Sequence, residues 1–154
     1  MKQVIKKFYT NRSKPDYHFK DILETSFDEF PKNKKGVYIL LATSDDKFLY
    51  PNREYSPIYY IGMSTNLAKR LNGHKESIKF IKEKHKTKER WDDWYWDRYQ
   101  YAVSFGCEVI IFTTRSNQKP KDLESEILEM FYNRYLAKPV SNGAFSFRKA
   151  KESF

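Results

Sequence analysis

Five residues of this chain have types and spacing that suit chemistry: Tyr38, Tyr60, Arg70, His74 and Glu124. Arg70 and His74 stand four apart, so on a helix they lie one turn apart on one face. A guanidinium in that position can clamp two oxygens of a phosphate at once, which an ammonium cannot match. An imidazole one turn away can share a proton with Tyr60 or with an attacking water. Glu124 offers a hard oxygen of the kind a divalent cation takes, one or two carboxylates being usual. Glu126 competes for that role but projects about 200° further around a helix of about 3.6 residues per turn. Glu124 borders the apolar stripe of Leu123 and Ile127 more closely. One reaction such groups could serve is hydrolysis of a phosphodiester, although taken singly they are ordinary residues. That reaction needs an activated water, a stabilised anionic transition state and help for the departing alkoxide. A tyrosine hydroxyl is a weak base at its ordinary pKa near 10, so a cation close by has to lower it. The residues alone do not rank Tyr38 against Tyr60.

Each of these has a plainer reading beside it. Two strand tyrosines can simply pack, and an arginine and histidine one turn apart can decorate a solvated face. Asn142, ahead of Gly143, can shape a turn. What weighs against the plain readings is that these residues occur together, Arg70, His74 and Glu124 following the two tyrosines in order.

Val37-Tyr38-Ile39-Leu40-Leu41 and Ile58-Tyr59-Tyr60-Ile61-Gly62 are rich in β-branched and aromatic residues and predict two strands, economically paired as an antiparallel ribbon. Between them, roughly 43–57, runs a polar loop. Ser64-Thr65-Asn66 is a helix-capping cluster, followed by Leu67, Leu71, His74 and Ile78 on one helical stripe. Glu108 to Thr114 predicts a third strand. Pro120 suits the first turn of a helix whose apolar positions are Leu123, Ile127, Leu128, Phe131 and Tyr135, with Pro139 to end it. Earlier, Phe19, Ile22, Leu23, Phe27 and Phe30 keep helical spacing and predict a short amphipathic helix. Six aromatic residues crowd Trp91 to Tyr101, which reads as packing, with base stacking the rival use. The basic tail 144–154 carries Phe145 and Phe147, which predict a short docked strand. The expected architecture is one α+β domain over the whole chain, a small three-stranded antiparallel sheet flanked by helices, with an N-terminal helical extension.

At 154 residues the chain can bury a real core without staples. Its single cysteine, Cys107, lies beside an apolar run and is expected to behave as a small buried hydrophobe. One Cys and three scattered His show no zinc-ligand spacing. No apolar stretch approaches a membrane span and no signal-peptide pattern opens the chain, so a cytoplasmic protein is expected. The formal charge is +9, from 29 Lys and Arg against 20 Asp and Glu, which favours a polyanionic partner. From Asn66 to Arg90 nine basic residues face three acidic ones, so most of the excess sits on one segment, Lys69 and Lys75 included. A phosphate-backbone contact surface is the expectation, and a solvated lysine-rich face the alternative.

The order Gly36-Val37-Tyr38, Tyr60-Ile61-Gly62, Arg70, His74, Glu124, Asn142 closely resembles the GIY-YIG endonuclease family, over roughly residues 31–142. Each piece is a weak signal, and all of them in one order is a strong one. A histidine four residues after the arginine is shared with homing and restriction nucleases of the family. The interval of about fifteen residues between the tyrosine strands is longer than in compact members such as the excision-repair incision nuclease, which leaves substrate choice open. The resemblance implies cleavage of DNA, with RNA an open alternative, using Mg²⁺ or Mn²⁺. It implies catalytic Tyr38, Tyr60, Arg70, His74 and Glu124, with Glu124 holding the metal. Asn142, Lys69, Lys75 and Gly62 are then expected at the substrate. Two rivals are a non-catalytic nucleic-acid-binding domain on the same scaffold and a protein-interaction domain that uses the aromatic segment as its contact patch.

Overall fold

Strands form where the β-branched and aromatic runs were read, and the helices follow from caps and apolar stripes. A computed structural model describes residues 15–87 and 97–142, with backbone only for 85–87. In chain order the elements are β1 (Tyr17–Phe19), two 3-10 turns (Ile22–Glu24 and Phe27–Glu29), β2 (Gly36–Leu41), β3 (Phe48–Leu49), β4 (Tyr55–Ser56), β5 (Ile58–Ser64), α1 (Leu67–Thr87), α2 (Arg98–Phe105), β6 (Glu108–Thr113) and α3 (Pro120–Tyr135). The main sheet is antiparallel throughout, in the order β1-β6-β2-β5. It has four strands, one more than expected.

The extra strand comes from the segment expected to be a helix. Tyr17 to Phe19 pair with Val109 to Ile111, and the Asp16 amide donates to the Ile111 carbonyl at 2.8 Å. That covers an edge of β6 that would otherwise stand open. Beyond it, side-chain caps favour single turns over a continuous helix. The Asp21 carboxylate accepts from the Leu23 amide, and the Glu29 carboxylate accepts from the Ser26 amide. The interval 43–57 also carries structure, a two-stranded hairpin of β3 and β4. Inside it Tyr50 turns to the core, donating its hydroxyl to the Ile58 carbonyl at 2.8 Å and accepting from the Val140 amide at 3.1 Å.

All six residues of β2 are buried, so the sheet is covered on both faces at its centre. Leu67, Leu71, His74 and Ile78 are buried together, as their stripe predicted, and the Asn66 side chain caps α1 by accepting from the Lys69 amide. Cys107 is buried, as expected of a small hydrophobe. α3 ends before Pro139, at Leu136, which takes a left-handed φ of 62°. α2 was not foreseen as a helix. An Asp97–Gln100 capping box starts it and Gly106, at φ 89°, ends it. The tryptophans of 91–96, the basic residues Lys88 and Arg90, and the tail with Phe145 and Phe147 lie outside the described residues. No helix among the described residues is long and apolar enough to cross a membrane.

Candidate active site

The register of β2 and β5 sets Tyr38 opposite Gly62 and Leu40 opposite Tyr60, so Tyr38 and Tyr60 are diagonal neighbours on one face of the sheet. Their ring centroids are 6.0 Å apart. The Tyr38 ring lies across Gly62: a Cβ at residue 62 would stand 2.6 Å from the Tyr38 hydroxyl and 2.7 Å from the Tyr60 ring. Glycine is needed there because a neighbouring side chain occupies the space of its own. At Gly36 the same test meets the Phe112 carbonyl at 2.2 Å, where β2 and β6 approach closely.

Arg70 and His74, one turn apart on α1, both reach the Tyr38 hydroxyl. The Arg70 Nε donates to it at 3.3 Å, and the His74 Nε2 lies 2.7 Å from it. His74 Nδ1 lies 2.9 Å from the hydroxyl of Tyr99 on α2. One arrangement satisfies every atom: Arg70 donates to Tyr38, Tyr38 donates to Nε2, and Nδ1–H donates to Tyr99. The expected partner of the imidazole was Tyr60 or an attacking water; the Tyr60 ring centroid is 6.4 Å from that of His74, and the bond present goes to Tyr38.

Burial decides the electrostatics of this chain of bonds. Tyr38 is 0% exposed and His74 1%. The His74 pKa is lowered to about 3, first by desolvation and then by the charges of Arg70 and Arg98, so its imidazole is neutral. The Tyr38 phenol is pushed well above its ordinary 10, first by burial and then by Tyr60, against the opposing pull of Arg70. A neighbouring cation does act on the tyrosine in the expected direction, and burial outweighs it. Arg70, by contrast, is exposed, and Tyr60 is half-buried.

The other expected residues fall around this cluster. Asn142 spends both ends of its amide on Ile61, accepting from the Ile61 amide and donating to its carbonyl, each at 2.9 Å. It thereby closes the free edge of β5 between Tyr60 and Gly62. Lys75 donates to the Thr25 carbonyl at 2.5 Å, tying α1 to the first 3-10 turn. Lys69 is exposed next to Arg70. Glu124 lies one turn into α3, a helix that packs on β2 and β5. It is half-buried, whereas Glu126 is exposed. Desolvation raises the Glu124 carboxyl above its ordinary range, with Lys121 opposing. Among the described residues no hydrogen bond or ion pair joins Glu124 to the tyrosine cluster, and no group of three or more His, Cys, Asp or Glu side chains could hold a metal ion.

Sequence reasoning missed two residues, Tyr99 and Arg98. The Arg98 guanidinium lies 4.8 Å from the Tyr60 centroid and 4.8 Å from that of Tyr99. Both sit in the aromatic segment read as packing. The Asp97-x-x-Gln100 pattern was the available signal, since it starts the helix that presents them. Compared with protein-family models, curated proteins and solved structures, the chain matches none.

Proposed function

We propose that this protein is a divalent-metal-dependent endonuclease that hydrolyses DNA phosphodiester bonds, of GIY-YIG type. The observation that supports this most is an exposed arginine held by a buried, fully bonded chain of side chains, Tyr38, His74 and Tyr99. Tyr38 takes the Nε of Arg70, which leaves the two terminal nitrogens free to meet phosphate oxygens side by side. His74, neutral, takes the Tyr38 proton in its hydrogen bond and so keeps the phenol lone pair aimed at Arg70. In this reading Tyr38 and His74 position the arginine, and Tyr60, the tyrosine with open surface, orients the water. Asn142 and Gly62 serve by holding β5 and seating the Tyr38 ring. Lys69 and the rest of the basic face of α1 supply sequence-independent attraction that weakens with salt.

Glu124 fits a hard cation: its carboxylate is partly desolvated and pairs with no described side chain, a cost that a bound divalent ion offsets. Mg²⁺ or Mn²⁺ held there would stabilise the charge that develops on the phosphate oxygens. With one protein carboxylate, its remaining ligands come from water and substrate.

The test incubates the protein with supercoiled plasmid and a short branched duplex, with Mg²⁺, with Mn²⁺ and with chelator. Cleavage should require the metal, and Glu124→Ala should lose about a hundredfold or more in rate while Glu126→Ala stays near wild type. Wild-type protein inert on every nucleic acid tried would end the enzyme reading, and activity that follows Glu126 would move the metal.

A further inference from the structure

The Arg98 guanidinium carbon lies over both the Tyr60 and the Tyr99 ring, 4.8 Å from each centroid. Its Nη2 stands 3.5 Å from the Tyr99 hydroxyl, the outer limit of a hydrogen bond. Its Nε is buried with no hydrogen-bond partner at all. Among the described residues no Asp or Glu forms an ion pair with it. A buried N–H without an acceptor is costly, and more so on a charged group. Contact with two rings leaves that cost in place. Arg98 also lies close enough to Tyr38 and His74 for its charge to be felt at both, alongside that of Arg70. Two cations therefore converge on one tyrosine–histidine pair, and no carboxylate among the described residues pairs with either.

Resting on the endonuclease reading, we propose that Arg98 is a second phosphate-binding residue of this site, its terminal N–H groups taking an oxygen of the same phosphodiester that Arg70 clamps. Arg70 stands at an exposed helix position and is held by the one bond it donates to Tyr38. Arg98 is pre-set by the two rings, so little order has to be created when phosphate arrives. A phosphodiester between them neutralises two crowded cations together. Tyr60 and Tyr99 then act as the platform for Arg98, which gives the crowded aromatic segment a task beyond packing.

The test uses the full chain with Arg98→Gln and Arg98→Lys. A fluorescein-labelled duplex is titrated in chelator over a series of salt concentrations, and single-turnover cleavage is followed in Mg²⁺. Each phosphate contact contributes about 0.9 to the slope of log affinity against log salt. Arg98→Gln should lower that slope by about one contact and slow cleavage by about a hundredfold. Arg98→Lys should keep most of the slope yet cut about tenfold or more slowly, because an ammonium cannot reproduce the stacked, planar donor. If both variants keep the wild-type slope and cut within about threefold of wild type, the proposal is wrong and the endonuclease reading stands. If wild type cuts nothing and Arg98→Gln still loses slope, the endonuclease reading fails and the phosphate site survives. Should Arg98→Gln not fold, Arg98→Lys at wild-type rate overturns the proposal by itself.

Discussion

His74 should make the stability of the protein depend on pH between about 7 and 5. Its pKa in the fold is lowered to about 3 from an ordinary 6.5, by burial first and then by Arg70 and Arg98. Between those two values the unfolded chain holds a proton on this imidazole and the folded chain does not. Unfolding therefore takes up a proton, and stability falls as pH drops through that window. Above pH 6.5 neither state is protonated, so the contribution is fully present there. At about 1.36 kcal/mol per pH unit, the full loss approaches roughly 4–5 kcal/mol, and about 2 kcal/mol of it has gone by pH 5 relative to pH 7. His74→Gln removes the titration and keeps an amide that can still bond Tyr38. Urea unfolding of both proteins at several pH values between 7 and 5 reads the difference, and groups common to both cancel. Wild type should lose about 2 kcal/mol more than His74→Gln over that range. Equal slopes for the two would refute the claim that the imidazole is held neutral by burial and the two arginines.

Two further substitutions probe the seating of the site. Gly62→Ala places a Cβ 2.6 Å from the Tyr38 hydroxyl. The ring must move off Arg70 and His74, which should cost about 1–3 kcal/mol of stability and slow cleavage more than binding; a crystal structure with Tyr38 unmoved would count against it. Asn142→Ala strands the amide and carbonyl of Ile61, a residue 1% exposed. It should lower stability by about 1–3 kcal/mol in urea unfolding, and unchanged stability would mean water serves that edge equally well.

What could be read from residue order was whatever local periodicity encodes. The stripe of Leu67, Leu71, His74 and Ile78, the strands around Tyr38, Tyr60 and Ile110, and the helix from Pro120 are all set by neighbours within a turn or two. Arg70 and His74 sharing a face is a property of helix geometry alone, and so was visible. Glu124 bordering a buried stripe, with Glu126 exposed, was visible for the same reason. β1 was not, because three residues pair with β6 some 90 positions away and keep no period of their own. The caps at Asp21 and Ser26, by contrast, were local, and the apolar spacing masked them. Tyr99 meets His74 across 25 residues only because α2 docks on α1. The state of Tyr38 was hidden as well, since a neighbouring cation can be guessed from sequence and the depth of burial that outweighs it cannot.

The central claim is that the Tyr38, His74 and Tyr99 chain exists to present Arg70 to a phosphodiester. Single-turnover cleavage of supercoiled plasmid in Mg²⁺ by wild type and Arg70→Ala tests it most directly, with duplex affinity measured beside it. The account predicts that Arg70→Ala cuts about 100- to 1,000-fold more slowly while retaining duplex affinity within about tenfold. Arg70→Ala cutting at the wild-type rate would contradict it.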